Sequence, residues 1–136
     1  MIVDTSALLA CFNADETAHA AMTTALEATT EDLIVSPYVV AEVDYLIASR
    51  FGVTAELAAL EELARGAWIL APFSHVDLAA AARVVQRYSD QSIGVTDASI
   101  VVLADSCRTR TVATLDRRHF EVLRPLQGGR FRIVPE

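Results

Sequence analysis

The chain has 136 residues, 53% of them apolar, and carries a net charge of −7. This length and composition are typical of one globular domain, which we expect to span residues 1–136, and they exclude a disordered chain. No apolar run approaches the ~20 residues of a membrane helix and no basic leader precedes the first apolar segment, so we expect a cytoplasmic protein without a membrane segment.

Short apolar runs alternate with amphipathic segments along the chain. The predicted strands are residues 1–4, 32–35, 67–71, 111–115 and 131–134. The predicted helices are residues 6–12, 15–28, 37–51, 54–65, 75–88 and 96–107. Because most strands are continuous apolar runs and helices separate them, the pattern predicts an α/β fold with a mainly parallel sheet of about five strands, covered by helices on both faces.

Turn and capping residues suggest the boundaries of several elements. We expect Asp15 to cap the second helix, Ser36 followed by Pro37 to begin the third, and Thr54 to cap the fourth. The pair at positions 128–129 is Gly-Gly, which predicts a turn into the last strand. The two cysteines, at positions 11 and 107, lie inside apolar helical patterns and are predicted to be small buried hydrophobes, not a disulfide or metal-binding pair.

Four acidic residues occupy positions where a parallel sheet could gather them. The first and fourth predicted strands each end in an acid, Asp4 and Asp116. If these strands are neighbours, both acids point into the crevice beyond the carboxyl ends of the strands, where such folds bind ligands. Asp97 lies in the first turn of the sixth predicted helix, and Glu42 lies beside the apolar stripe of the third. Spacing alone does not bring Asp97 to the crevice.

A cluster of carboxylates indicates a particular chemistry. Like charges repel, so clustering is unfavourable unless a cation binds between the groups. Oxygen ligands with an incomplete shell suit Mg²⁺ or Mn²⁺, and such ions activate water and stabilise the oxyanions of a phosphodiester displacement. A site of carboxylates without His or Cys ligands therefore indicates phosphate chemistry.

Each acid taken alone has a structural alternative. Asp4 could simply cap the helix that follows it, and Asp97 could simply favour a helix dipole. Asp116 could belong to a solvated turn. Glu42 has a rival in Asp44, which flanks the same apolar stripe on its other side, and the helical wheel does not choose between them.

Taken together, four segments of the chain resemble the PIN-domain ribonucleases, specifically the VapC-type toxins of bacterial toxin–antitoxin pairs. The segment MIVDTSALLA resembles the opening strand of that family and maps its first catalytic acid to Asp4. SPYVVAEVDYL maps the second acid to Glu42, YSDQSIGVTDASIVVLA maps the third to Asp97, and TVATLDRRHF maps the fourth to Asp116. The four motifs occur in the family's order, across nearly the whole chain, without a departure at any acidic position.

The resemblance implies a three-layer α/β/α sandwich and Mg²⁺- or Mn²⁺-dependent endonucleolytic cleavage of structured RNA, either tRNA or ribosomal RNA. Asp4 and Asp97 would be the main metal ligands, and Glu42 and Asp116 would complete the shell directly or through water. The resemblance also implies a homodimer that a small VapB-type antitoxin holds inactive.

Other residues near these motifs have less defined roles. Thr5 or Ser6 would hydrogen-bond a ligand carboxylate or the scissile phosphate, or would only cap a helix. Asp90 falls within the third motif as a secondary candidate. Arg117 and Arg118 would meet RNA phosphates or form a salt bridge within the acidic cluster.

The arginines are the only strong cations, because the chain has no lysine, and seven of the eleven lie after residue 107. RNA is negative and so is the acidic cluster, so substrate binding requires a cationic rim. We expect some members of the following set to supply it: Arg108, Arg110, Arg117, Arg118, Arg130 and Arg132. We expect His119 to form a structural hydrogen bond and not to act as a general base, because a metal would already supply the activated water.

Two other functions are compatible with parts of this pattern. A phosphatase or phosphoryl-accepting receiver domain would also place an acid at position 4, but it needs a second Asp two residues later or a lysine, and this chain has Ser6 and no lysine. A catalytically inactive PIN-like module that binds RNA or protein is the other alternative. The four retained acids argue against it.

Overall fold

A computed structural model describes residues 1–136. It contains five strands: β1 (Ile2–Val3), β2 (Ile34–Val35), β3 (Ile69–Leu70), β4 (Thr111–Ala113) and β5 (Arg132–Val134). It contains seven helices: α1 (Thr5–Phe12), α2 (His19–Glu27), α3 (Pro37–Phe51), α4 (Val53–Ala64), α5 (His75–Arg87), α6 (Val95–Ser106) and α7 (Arg117–Val122). No helix is long and apolar enough to cross a bilayer.

All five strands are parallel, in the order β3-β2-β1-β4-β5. The chain builds one half of the sheet outward from β1 and then crosses to the other side of β1 to add β4. The strand order therefore reverses between β1 and β4, and at such a switch point the loops after the two strands separate and leave a crevice. The first and fourth strands are neighbours, which is the condition under which Asp4 and Asp116 meet, and the predicted α/β/α sandwich is confirmed.

The core lies between the sheet and the helices. Both faces of β1 are buried, and α6 contributes an almost continuous buried segment from Ala98 to Ala104. The helices pack as sequential pairs, α1 with α2, α3 with α4 and α5 with α6. α6 also contacts β1, and Asp97 in its first turn lines the same cleft as Asp4, which follows β1.

The predicted start of α3 and the predicted glycine turn are both confirmed, because neighbouring residues alone determine each of them. Ser36 caps α3 by accepting the Tyr38 N–H at 3.2 Å, and Pro37 is the first helical residue, as predicted. The residues of the Gly128-Gly129 turn have φ values of 84° and 85°, a left-handed conformation that favours glycine.

Several predicted boundaries were wrong. Asp15 does not cap α2, because residues before His19 form turns and the first helical residue follows Ala18. Gly52, not Thr54, precedes α4. The segment 67–71 is not a buried strand, because β3 is the sheet edge and both of its residues are exposed.

The cysteine prediction holds only at one position. Cys11 is partly buried against the core, and burial raises the pKa of its thiol to about 11. Cys107 is exposed at the carboxyl end of α6, so it is not a buried hydrophobe. Both thiols are free.

Candidate metal-binding active site

The carboxylate of Asp4 is the most enclosed of the four acids. Asp4 directly follows β1 and is only 6% exposed. Its Oδ2 accepts hydrogen bonds from the hydroxyls of Ser6 at 2.9 Å and Thr114 at 2.7 Å. These two donors fix the carboxylate plane, and no protein group donates to Oδ1.

The same two hydroxyls join the end of β4 to the start of α1. The Leu115 N–H donates to Ser6 Oγ at 2.9 Å, and the Asp116 N–H donates to Thr114 Oγ1 at 2.9 Å. Each hydroxyl thus accepts from the chain after β4 and donates to Asp4. This arrangement holds the loop that carries Asp116 beside the carboxyl end of β1.

Asp116 caps α7, and His119 lies in the first turn of that helix. The Asp116 Oδ1 accepts the backbone N–H of His119 at 3.2 Å. The His119 Nδ1 lies 3.0 Å from Asp116 Oδ2 and 3.2 Å from Asp97 Oδ2. Neither contact is aligned as a hydrogen bond and Nδ1 is buried, so the imidazole lies between the two carboxylates without a directed bond to either.

Asp97, in the first turn of α6, is the third aspartate of this group, and its pKa reflects the negative charges around it. The pKa of Asp97 is raised from 3.8 to about 6. Burial is the largest cause, and repulsion from Asp4 adds to it, as does smaller repulsion from Asp116 and Glu42, while His119 opposes the shift. A carboxyl whose charge is disfavoured by three neighbouring acids lies where a cation would be stabilised.

The structure distinguishes Glu42 from Asp44. Glu42 is exposed on α3 and lines the cleft with the three aspartates. Asp44 instead faces α4, where a hydrogen bond with Glu56 and the repulsion between the two carboxylates raise the pKa of Glu56. Glu42 is therefore the acid of α3 that lies within reach of the other three.

The four acids line one open cleft of about 380 Å³. Its lining residues are Asp4, Thr5, Ser6, Leu9, Glu42, Leu46, Gly94, Thr96, Asp97, Asp116 and His119. They come from the ends of two neighbouring strands and from four helices, α1, α3, α6 and α7. The cleft lies at the switch point of the sheet, where the topology leaves space.

This donor set fits a hard divalent cation. The cleft contains carboxylate and hydroxyl oxygens, which Mg²⁺ and Mn²⁺ prefer. The Thr5 Oγ1 is buried and has no hydrogen-bond partner, so a polar atom in the cleft wall is left for a water, a ligand or a phosphate oxygen. No three of these side chains converge on one point in the structure, so ion binding would require small movements of the carboxylates.

Two predicted candidates lie elsewhere or are already engaged. Asp90 is exposed in the turn after α5 and does not line the cleft. The Arg117 guanidinium donates to the Pro135 carbonyl, so it ties α7 to the chain after β5. Arg118, by contrast, is exposed and has no hydrogen-bond or ion-pair partner.

Four of the six arginines predicted for the rim lie at the amino ends of the strands, on the opposite side of the sheet from the acids. Arg108 and Arg110 precede β4, Arg130 precedes β5, and Arg132 is its first residue. Because the strands are parallel, their amino ends lie at the edge opposite the acids. Among the six, only Arg117 and Arg118 flank the cleft.

Sequence reasoning missed the role of Thr114 and the position of His119. Thr114 lies in an apolar strand, and a threonine there is typical of β-structure, so nothing in the sequence distinguished it. The His119 contact with Asp97 could not be predicted because it joins two helices 22 positions apart whose packing the sequence does not reveal.

Comparison with known proteins agrees with the fold. The family model for the PIN domain matches residues 1–124. The ribonuclease VapC26 of Mycobacterium tuberculosis is 58% identical over 135 residues, which cover 99% of this chain and 100% of that protein.

Two solved structures share the architecture. The toxin VapC20 of Mycobacterium tuberculosis, described as cleaving the sarcin-ricin loop, has a TM-score of 0.79 at 19% identity and covers 85% of this chain and 89% of its own. FitAcB from Neisseria gonorrhoeae has a TM-score of 0.62 at 21% identity, over 83% of this chain and 85% of its own.

The parallel sheet, the acidic cleft at its switch point and the family match define one class: the chain belongs to the PIN-domain family. Its high identity to a full-length VapC ribonuclease then places it within that family. It is a VapC-type toxin with endoribonuclease activity, which confirms the function predicted from the four motifs.

Proposed function

We propose that this ribonuclease uses Mg²⁺ or Mn²⁺ held by Asp4, Glu42, Asp97 and Asp116. The observation that carries this proposal is the convergence of the four acids on one cleft, with a raised pKa at Asp97 as its electrostatic consequence. A bound divalent ion would lower the pKa of a water molecule and stabilise the charge that develops on the phosphate.

The chain's own residues prepare the cleft for this role. Ser6 and Thr114 hold Asp4 through Oδ2 and leave Oδ1 free to face the cleft. His119 offsets part of the repulsion between Asp97 and Asp116 by its position between them. The unpartnered hydroxyl of Thr5 can donate to a phosphate oxygen in the same cleft.

We propose structured RNA, either tRNA or ribosomal RNA, as the substrate. The VapC20 structure is described as that of a toxin that cleaves the sarcin-ricin loop, which supports a folded RNA target for this fold. The cleft is open and offers oxygens, two leucines and the imidazole of His119, and no Phe, Tyr or Trp ring lines it on which a single base could stack. Shape and backbone contacts are therefore expected to choose the RNA.

We further propose that a VapB-type antitoxin neutralises the toxin by covering a groove beside the cleft. An apolar depression of about 210 Å³ lies between α1, α3 and α4, with Phe12, Ile47 and Phe51 in its wall. Leu9 lines both this depression and the acidic cleft, so the two surfaces are continuous. A partner segment seated in the groove could place an arginine or lysine among the four acids.

Two assembly proposals accompany this function. Residues 1–136 form a single PIN domain, because β5 lies beyond the family match yet pairs along its whole length with β4. The toxin forms a homodimer, as VapC-type proteins usually do.

RNA cleavage by the purified chain tests the catalytic proposal. We expect wild type to cut total RNA with Mg²⁺ or Mn²⁺ and not with EDTA, and Asp97→Asn to lose more than about 100-fold of the rate. Asp90→Asn is the matched control, because it neutralises an exposed acid outside the cleft. Near-normal cleavage by Asp97→Asn would contradict the site, and RNA binding without cleavage by wild type would favour the inactive binding module.

A further inference from the structure

We propose that three exposed arginines at the amino end of the sheet form a second contact site for the phosphates of the RNA substrate. This distal arginine cluster consists of Arg108, Arg110 and Arg130. The proposal rests on the proposed function, because it assumes that the substrate held in the acidic cleft is an RNA large enough to reach the opposite edge of the sheet.

The topology brings the three residues together. Arg108 and Arg110 precede β4, and Arg130 follows the Gly128-Gly129 turn that leads into β5. The Arg110 Nη1 lies 3.6 Å from the position that a Cβ on Gly129 would occupy, so the guanidinium packs against the turn next to Arg130. The Arg110 carbonyl accepts the Arg132 N–H at 2.8 Å, which fixes the two segments side by side.

The distance to the acidic cleft is that of a short strand. Thr114, which donates to Asp4, lies four positions after Arg110, and at about 3.3 Å per residue this spans roughly 13 Å. An RNA helix or hairpin that enters the cleft is wider than this separation, so its backbone can lie along the β5 edge of the sheet and contact both ends.

The three guanidinium groups are free, although the chain has more acids than bases. None of them forms a hydrogen bond or an ion pair, whereas Arg65 and Arg132 are paired with Glu62 and Glu136. Two acids, Glu31 and Asp32, line the pocket beside Arg108 and Arg110. Glu31 is engaged by the hydroxyls of Thr109 and Thr111 at 2.8 and 3.0 Å and by the N-terminal ammonium at 2.8 Å. Unpaired arginines with planar donor forks are well suited to bind phosphate.

Arg108 also occupies a backbone position that usually belongs to glycine. Its N–H donates to the Asp105 carbonyl at 3.1 Å, and the Thr109 N–H donates to the Ala104 carbonyl at 3.0 Å. This pair of bonds is the Schellman ending of α6, and Arg108 is its left-handed residue, with a φ of 53°.

A side chain at a left-handed position is strained, and such strain often marks a functional site. The helix dipole favours a cation at this end of α6, but an arginine at position 107 or 109 would supply that effect without the strain. The Arg108 side chain is thus held on this surface at a backbone position that favours glycine.

RNA fits this cluster better than a protein partner does. The cluster lies at the opposite end of the strands from the acidic cleft, and none of its three arginines lines the groove proposed for the antitoxin. The pocket beside Arg108 and Arg110 is mainly polar, and threonines and Gln127 line it together with the acids Glu31 and Asp32. Polar surroundings are typical of a surface that contacts nucleic acid. We infer that it selects folded RNAs over short fragments.

The test compares two triple variants of the full chain that change the net charge equally. One replaces Arg108, Arg110 and Arg130 with Ala, and the matched control replaces Arg65, Arg83 and Arg87 with Ala. Binding of bulk tRNA and of 23S ribosomal RNA is measured by fluorescence anisotropy in EDTA, from 50 to 300 mM KCl, so that no cleavage occurs.

We expect the control to match wild type. The distal variant should bind about tenfold or more weakly at 50 mM KCl, and its plot of log affinity against log salt should be less steep by about 2 to 3, one phosphate contact for each arginine. With Mg²⁺ and an RNA that wild type cleaves, the KM of the distal variant should rise while its kcat stays within about twofold.

Arg108→Gly provides a second, independent measurement. Glycine accepts the left-handed conformation, so this variant should melt about 2–4 °C higher than wild type while binding RNA more weakly. An arginine retained only for stability would give the opposite combination.

Equal salt slopes for the distal variant and the control would overturn the proposal, as would unchanged RNA binding together with weaker antitoxin binding, which would assign the cluster to a protein. If wild type bound RNA through the cluster but cleaved nothing, the distal site would stand and the proposed catalytic function would fail.

Discussion

Neutralising Asp97 should stabilise the metal-free protein at neutral pH. The pKa of Asp97 is about 6 in the folded protein, against an ordinary value of 3.8, mainly because burial and repulsion from Asp4 disfavour its charge. Its side chain is 19% exposed, so water screens this repulsion only in part. The raised pKa means that ionised Asp97 opposes folding, by about 2 to 3 kcal/mol once it is fully ionised.

The sign of the pH dependence follows from which state binds the proton more tightly. The folded protein holds the Asp97 proton up to pH 6, whereas the unfolded chain releases it near pH 4, so this residue makes stability fall as the pH rises from 4 to 7. The penalty is absent below pH 4 and complete above pH 7. Asp97→Asn, which cannot ionise, should lack this component.

Melting in EDTA measures the effect. At pH 7 we expect Asp97→Asn to melt roughly 6–9 °C above wild type, and the gap should close by pH 4, because about 3 °C corresponds to 1 kcal/mol for a chain of this size. Asp90→Asn, at an exposed turn, should melt with wild type at every pH. A gap that is absent at pH 7, or that does not change between pH 4 and pH 7, would refute the electrostatic account of the cleft.

Three further predictions concern the metal, the hydrogen bonds and the rim. Millimolar Mg²⁺ or Mn²⁺ should raise the melting temperature of wild type, by an amount equivalent to about 2.7 kcal/mol at 100 times Kd, and Asp116→Asn should respond much less; a wild-type curve indifferent to both ions would count against the site. Ser6→Ala should lower the free energy of unfolding by about 1–3 kcal/mol in urea, because the buried Asp4 carboxylate loses a donor; an unchanged midpoint would exclude that role. Arg118→Ala should reduce the salt slope of RNA binding by about 1, whereas Arg83→Ala on α5 should not.

The placement of Asp4 and Asp116 at the carboxyl ends of strands could be predicted from the sequence, because each follows a short apolar run and parallel strands bring their carboxyl ends to one side of the sheet. That these two strands are neighbours could only be assumed. Asp97 could not be placed in this way. Its position depends on where α6 begins relative to β1, a packing relation that only the family resemblance supplied.

The errors in the fold have equally specific causes. α7 was missed because it has six residues, too few for helical periodicity, and because its first residues are charged. The segment containing β3 is as apolar as a buried strand, but burial depends on its place in the strand order, and β3 lies at the edge. Asp15 has the chemistry of a cap, yet the turn that begins at Asn13 delays α2 by three residues beyond it.

The positions of the arginines differ from the prediction because the direction of a strand determines at which of its two ends a flanking residue lies. The seven arginines after residue 107 are close in sequence, and proximity in sequence suggested one rim. In a parallel sheet, however, a residue that precedes a strand and one that follows it lie at opposite edges, so Arg110 and Asp116 are separated by the length of β4. The strand assignments alone imply this division: the acids follow β1 and β4, and the free arginines precede β4 and β5. The parallel arrangement of the strands thus places the acids at the carboxyl ends and the free arginines at the amino ends. An RNA long enough to span the sheet could contact both groups.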